Sequence, residues 1–234
     1  RLEQQRDFWK AEFAEEVDVL ELPIDHSRPM EKSYDGGNRV FLLSKELTDK
    51  LQDAGESSGA TMFMTVLSIF NILLSKLSNQ EDITIGTPVA GRDHADLEDV
   101  IGMFVNTLVL RNYPEGNKTF REFLSEVKEK TLNCFENQAY QYEELIEELS
   151  LPRDTSRNAL FDVMLMYQNF EEEELVIPDL KLEGYESGYN VTKFDLTLMV
   201  RKSEDGLYLN FGYATDLFER ATIDRFITYF ERIV

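Results

Sequence analysis

Apolar positions in the first third of the chain recur at spacings that predict helices separated by one short strand. Residues 1–16 place a few apolar side chains among many charges, which is typical of a surface helix. A strand at 39–43 leads into a polar helix at about 45–56. Residues 61–77 are apolar on nearly every side, so we expect this helix to lie in the core. Polar residues interrupt it, and it falls short of a membrane span.

The middle of the chain predicts two strands followed by a capped helix. Residues 83–86 form a brief apolar run, and 103–111 a longer one that is rich in β-branched and large apolar residues. Thr119 and Glu122 have the spacing of a capping box. On the helix that follows, one face is apolar from Phe120 to Phe135 and includes Cys134, which we therefore expect in the core and not as a nucleophile.

The last third of the chain is dominated by strand patterns between two helices. An acidic helix is predicted at about 142–149, and the chain closes with apolar residues at helical spacing up to Val234. Asp205-Gly206 is typical of a hairpin turn. The predicted strands between the helices are 160–167, 180–185, 193–202 and 207–214.

These elements predict one compact α/β unit over residues 1–234, in which helices cover one face of a mixed β-sheet in two layers. The chain begins at Arg1 without an initiator Met or a leader pattern, so we expect an excised piece of a longer protein.

Charge and composition exclude several classes of function. With 24 basic and 45 acidic residues the net charge is −21, so nucleic acid is not an expected partner. A single cysteine excludes an internal disulfide framework and favours a cytoplasmic protein. The two histidines, His26 and His94, are isolated, and we expect no metal site.

One polar motif follows a predicted strand, and another lies within one. Residues 86–92 (GTPVAGR) have glycines at the interval of a phosphate-binding loop, but Arg92-Asp93 stands where Lys and Ser or Thr are needed, so we reject that loop and favour a turn. Asn106 shares a predicted strand face with Phe104 and Leu108. It is either a hydrogen-bonded core amide or a donor that lines a cavity.

Polar residues also gather before and within later strands. Residues 153–158 (RDTSRN) combine two arginines, one acid and three other polar groups, which pin a loop or contact a ligand. Asp195 lies on the opposite face from Phe194 and Leu196, and a structural ion pair with Arg153 or Arg157 is favoured over a general base.

In this order the motifs resemble the later signature segments of condensation domains from non-ribosomal peptide synthetases. Residues 101–107 (IGMFVNT) resemble IGxFVNT, with Arg111 where an arginine often follows, and 137–143 (NQAYQYE) are similar to HQDYPFE at three positions. Residues 153–158 match RDxSRN in full, although Ala159 replaces the customary proline. Later segments similar to family landmarks are 193–198 (KFDLTL) and 213–218 (YATDLF).

The resemblance implies a chloramphenicol acetyltransferase-like, V-shaped fold of two lobes, of which this chain is the C-terminal one. It implies a floor for the tunnel between the lobes from residues 86–105, and a latch from the later strands. The N-terminal lobe would carry the motif HHxxxDG, which is absent here. The tunnel-lining or motif residues that the resemblance indicates in this chain are Arg92, Gly102, Asn106, Arg153, Asp154, Ser156, Arg157, Asn158 and Asp195.

In function, the resemblance implies amide formation between acyl groups carried on phosphopantetheine arms, with no cofactor bound by the chain itself. The expected partners are the N-terminal lobe, donor and acceptor carrier proteins and an adenylation domain, with no membrane. This lobe alone would be inactive and would associate with itself through the exposed tunnel face. The alternatives are a non-catalytic carrier-binding module, or an ester-forming or epimerising relative.

Overall fold

A computed structural model describes residues 2–92, 95–97, 100–151, 154–168 and 190–234 of the chain. Its helices are α1 (Leu2–Glu12), α2 (Lys45–Ser57), α3 (Met62–Ser78), α4 (Phe120–Glu136), α5 (Tyr142–Glu148) and α6 (Arg220–Ile233), with a short 3-10 helix at Ala95–Leu97. Its strands are β1 (Gly36–Ser44), β2 (Ile83–Val89), β3 (Asn106–Asn112), β4 (Val163–Gln168), β5 (Leu196–Ser203) and β6 (Gly206–Ala214).

The strands form a single mixed sheet in the order β1-β6-β5-β4-β2-β3. Strand β4 is parallel to β2 and β5, and the other neighbours are antiparallel. The predicted hairpin is confirmed, because Ser203 pairs with Gly206 across a two-residue turn. The α/β mixed sheet that the sequence predicts is therefore observed.

Helices α2, α3, α4 and α6 form a connected layer against this sheet. Along β5 the side chains alternate between buried and half-buried, and Leu196, Leu198 and Val200 are fully buried. The aromatic rings of Phe41 in β1, Phe211 in β6 and Phe230 in α6 pack together, with ring centroids 5.8 to 6.3 Å apart. On the opposite face Val40 and Leu42 remain exposed.

Helix α3 lies at the centre of the helical layer, as its all-round apolar pattern predicts. Its residues Val66, Leu67, Phe70 and Leu74 are fully buried. Thr61 caps its first turn by accepting a hydrogen bond from the backbone of Met64. The same arrangement at the start of α4 confirms the predicted capping box.

Several element bounds differ from the sequence prediction, each for a local reason. Strand β3 begins at Asn106 and not Met103, because residues 100–105 are mostly exposed and pair with no strand. Strand β4 begins at Val163, because Leu160 has a φ of 66°, outside the extended region. Phe120 is 38% exposed and does not join the buried face of α4. The predicted strand at 180–185 lies outside the described residues.

Candidate functional site

Arg28 and Asp195 form a buried ion pair between the loop that precedes β1 and the start of β5. Arg28 Nη1 donates to Asp195 Oδ1 at 2.9 Å, and Nη2 donates to Oδ2. The two side chains are only 15% and 6% exposed. Burial raises the pKa of the Asp195 carboxyl, and the Arg28 guanidinium opposes that rise. The ion pair expected at Asp195 exists, but its partner is Arg28 and not Arg157.

Arg157 pairs instead with Asp162, at the entrance to β4. Arg157 Nη1 donates to Asp162 Oδ2 at 2.8 Å, and the backbone N–H of Asn158 donates to Oδ1 at 3.0 Å. The backbone of Asp162 accepts from the N–H of Asp195 at 2.9 Å, which ties the two ion pairs together. We call Arg28, Arg157, Asp162 and Asp195 the ionic cluster.

The loop of residues 154–158 is fixed around this cluster. Asp154 Oδ1 accepts from both the backbone N–H and the hydroxyl of Ser156 at 2.7 Å, and these hydrogen bonds lower the pKa of Asp154. The carbonyl of Ser156 accepts from Arg28 at 3.1 Å, and Asn158 Nδ2 donates to the carbonyl of Lys193 at 3.1 Å. Because two cations face two anions, the ionic cluster is suited to hold a loop in place and not to exchange protons.

Asn106 connects the start of β3 to the segment before α5. Its Nδ2 donates to the carbonyls of Gln138 and Tyr140, both at 2.8 Å. Its Oδ1 accepts from the backbone N–H of Thr107 at 2.8 Å and of Tyr142 at 3.1 Å. Of the two alternatives the structure therefore shows the hydrogen-bonded core amide, which joins two of the motifs.

Tyr142 extends this connection to the 154–158 loop. Its hydroxyl donates to the carbonyl of Ala159 at 2.5 Å, and burial raises the pKa of that hydroxyl. Its ring meets Phe161 edge-on at 5.6 Å, and Phe161 stacks on Phe194 at 5.4 Å. A Cβ at Gly86 would lie 2.3 Å from the Phe161 ring, so only glycine fits beside it. Together with Asn106, these contacts link four of the sequence motifs, at residues 86–92, 101–107, 137–143 and 193–198.

The segment of residues 100–105 belongs to neither the ionic cluster nor the Asn106 group, and Phe104 anchors it. Arg92 lies over the Phe104 ring, 4.4 Å from its centroid, and donates to the carbonyl of Leu97. Gly102 lies beside the same ring. Ile101 and Met103 are 101% and 91% exposed. Phe104 therefore holds a segment that presents two large apolar side chains to its surroundings.

The structure thus brings together some of the residues selected from the sequence. Asp154, Ser156, Arg157, Asn158 and Asp195 share one hydrogen-bonded group, whereas Asn106 and the pair Arg92 and Gly102 belong to two others. Arg153 and His94 lie outside the described residues.

Sequence reasoning missed Arg28, Asp162 and Tyr142. The available signals were that Arg28 precedes a proline in a polar loop and that Asp162 interrupts an apolar strand pattern. Neither signal identifies the residue that forms the ion pair, because the Asp195 carboxylate that pairs with Arg28 is 167 residues away along the chain.

Two further observations concern metal-binding clusters and membrane-spanning helices. Within the described ranges, no three His, Cys, Asp or Glu side chains gather as a metal ion would require. Over the same residues no single helix has the length and apolar character to cross a membrane, and only α2 with α3, bent by 102°, meets those measures as a pair.

The chain matches the family model described as Condensation domain over residues 1–234. It is 43% identical over 233 residues to bacitracin synthase 3 of Bacillus licheniformis, covering 100% of this chain and 4% of that protein. Gramicidin S synthase 2 of Brevibacillus brevis is also 43% identical, over 99% of this chain and 5% of its own length. The chain therefore spans only a small part of these synthetases.

Solved structures share the fold. The X-domain in complex with OxyB from teicoplanin biosynthesis superposes with a TM-score of 0.89 at 26% identity, over 99% of this chain and 52% of that one. A holo four-domain nonribosomal peptide synthetase bound to AMP and glycine gives 0.88 at 27% identity, over 98% and 19%. The motifs, the sheet and these matches agree, and the chain belongs to the condensation-domain family of non-ribosomal peptide synthetases.

Proposed function

We propose that residues 1–234 are the C-terminal lobe of a condensation domain whose N-terminal lobe carries the catalytic histidine pair. One observation supports this division most directly. The fold accounts for nearly all of this chain but only 52% of the X-domain chain. The two histidines of the sequence, His26 and His94, are far apart along it, so neither belongs to an adjacent pair.

The proposed reaction joins two thioesters that phosphopantetheine arms deliver from carrier proteins. The amine of the acceptor aminoacyl group attacks the donor carbonyl, the new C–N bond forms, and the C–S bond breaks to release the donor thiol. Such a reaction needs positioning, proton transfer and stabilisation of oxyanion charge. Because the charges of the ionic cluster are paired with one another, we assign this lobe to positioning and leave proton transfer to the other lobe.

Within the lobe, the 154–158 loop is proposed to line the tunnel, and the 100–105 segment is proposed to be part of its floor. The ionic cluster holds the first, and Phe104 holds the second. The exposed Ile101 and Met103 are suited to contact with the N-terminal lobe, because apolar side chains of that size are rarely left fully in water.

The proposed partners are donor and acceptor carrier proteins and an adjacent adenylation domain in a pathway to a peptide secondary metabolite. The curated relatives are synthetases many times longer than this chain, and a four-domain synthetase shares its fold. The chain itself would bind phosphopantetheine only as the arm of a loaded carrier.

The experiment compares residues 1–234 with the full protein that includes the upstream segment. Each is mixed with a donor carrier loaded with an acyl group and an acceptor carrier loaded with an amino acid, and amide product is measured by mass spectrometry. We expect product from the full protein, none from residues 1–234, and none after the histidine pair is replaced by alanine. Product from residues 1–234 alone would refute the proposed division.

A binding module without chemistry is the second candidate. It is favoured by the X-domain, whose structure was solved in complex with OxyB and which has the same fold. If this candidate is correct, the full protein will retain loaded carrier on an affinity column and yet form neither amide nor ester.

A further inference from the structure

A cavity of about 510 Å³ lies between the loop that follows α1 and the loop that follows α5. One wall is formed by residues 13–20, after α1, and the other by residues 149–151, Asp154 and residues 157–162. Thr84 of β2 also lines it. This volume falls in the range of pockets that bind small molecules.

The first wall is held in place by Arg111 of β3. Arg111 is 3% exposed and pairs with Asp82 through contacts of 2.6 and 3.0 Å. Its remaining N–H groups donate to the carbonyls of Glu15 at 3.0 Å and Glu16 at 3.1 Å. The loop backbone is therefore pinned from behind, and its side chains are free to face the cavity.

The second wall is held by different contacts. Arg157 pairs with Asp162, and Thr84 Oγ1 donates to the carbonyl of Leu160 at 2.6 Å. Ser150 and Leu160 have φ values of 52° and 66°, conformations that cost energy for residues other than glycine. Each wall is thus fixed by its own contacts before a ligand arrives, which reduces the conformational entropy that the protein would lose on binding.

The chemistry of the lining defines the ligand. Phe13, Leu20 and Phe161 supply buried apolar surface, while four lining carboxylates are exposed to solvent, namely Glu15, Glu16, Asp18 and Asp154. The lining guanidinium of Arg157 is engaged with Asp162. The field at the opening is therefore negative, which attracts cations and repels anions.

We propose that this cavity is a binding site for a small amphipathic amine, with its apolar body between Phe13 and Phe161 and its ammonium group near the carboxylates of Glu16 and Asp18. The site does not depend on the proposed condensation reaction. It shares Asp154, Arg157 and Asn158 with the 154–158 loop, so an occupant would contact the loop that the ionic cluster fixes.

The test uses three ligands that share a phenylalkyl group and differ in their polar group, namely 4-phenylbutylamine, 4-phenylbutanol and 4-phenylbutyrate. Each is titrated into the full chain, and its affinity is measured by calorimetry. If two carboxylates each contribute about 0.7 kcal/mol, the amine will bind about tenfold more tightly than the alcohol, and the acid most weakly. Added NaCl will reduce this difference. Equal affinity for amine and acid would overturn the assignment of ligand class.

Matched variants locate the site. Ala14→Phe places a ring at the cavity, whereas Ala11→Phe changes an exposed residue of α1 that does not line it. Loss of amine binding in Ala14→Phe alone supports the proposal, and equal binding by both variants refutes it. Glu16→Gln with Asp18→Asn will abolish the preference for the amine over the alcohol, whereas Glu3→Gln on the exposed part of α1 will leave it unchanged.

Discussion

The side-chain carbonyl of Asn106 accepts a hydrogen bond from the backbone N–H of Tyr142 at 3.1 Å, which joins the first residue of β3 to the first residue of α5. With its three other hydrogen bonds, this one amide fixes the spacing between the sheet and the segment of residues 138–142.

Asn106→Ala is expected to lower the free energy of unfolding by about 3 kcal/mol, because it removes four hydrogen bonds and leaves buried backbone groups without partners. Chemical denaturation measures this change. Asn117→Ala, in an exposed turn, is the matched control and should shift the midpoint little. Equal effects of the two variants would show that the Asn106 amide does not hold the segment.

Arg28 and Asp195 are expected to be strongly coupled in a double-mutant cycle. Arg28→Met or Asp195→Asn alone leaves a buried charge unpaired and should cost about 3 to 5 kcal/mol. The double variant should cost far less than the sum of the two. The exposed pair Lys45 and Asp49, measured in the same way, should show coupling below about 0.5 kcal/mol.

Gly91→Ala should loosen the 100–105 segment. Gly91 has a φ of 65°, and a Cβ there would lie 1.8 Å from the carbonyl oxygen of Phe104. We expect a loss of more than about 1 kcal/mol and faster proteolysis between residues 100 and 105. Gly116→Ala is the control, because its nearest neighbour would be 3.6 Å away. Unchanged proteolysis in Gly91→Ala would contradict the anchoring role of Phe104.

Cys134 should resist alkylation in the folded protein. Burial raises the pKa of its thiol to about 12, so the folded state favours the protonated form. The thiol's contribution to stability is therefore complete below the unfolded pKa of about 8.5 and is lost as pH rises toward the folded value.

The measurement for Cys134 is iodoacetamide labelling at about pH 8.5 in a Ser57→Cys variant, whose second thiol is exposed and serves as an internal control. The added thiol should react at once and Cys134 only on unfolding. Equal labelling rates would place Cys134 outside the core.

Residues 1–234 alone should associate through the exposed 100–105 segment. Light scattering over a range of concentrations should show a rising mass, which Ile101→Asp with Met103→Asp should suppress. Leu2→Asp, at a residue that is 59% exposed on α1, should leave the association unchanged. A monomer at every concentration would contradict this prediction.

Local features of the fold were predictable from the sequence and long-range ones were not. The capping box at Thr119 and the turn before Gly206 depend on residues within a few positions of each other, and both were predicted. The partner of Asp195 was predicted wrongly, because the sequence motifs offered Arg153 or Arg157 and only the folded sheet brings Arg28 to it.

In the candidate site too, local features were predictable from the sequence and long-range contacts were not. The motif residues were found from their types and order, but the sequence does not reveal that Asn106 is saturated with hydrogen bonds or that Leu160 takes a left-handed conformation. The start of β3 was placed too early, since an apolar run is the same pattern whether it lies in a sheet or faces outward.

The pairing of β1 with β6 has a consequence for biosynthesis. Residues 45–205 separate these two strands, so β1 leaves the ribosome long before its hydrogen-bonding partner exists. Until β6 emerges, Val40 and Leu42 are carried on a strand with open backbone groups, a state prone to aggregation. The nascent chain should therefore bind chaperones until the final hairpin has been translated.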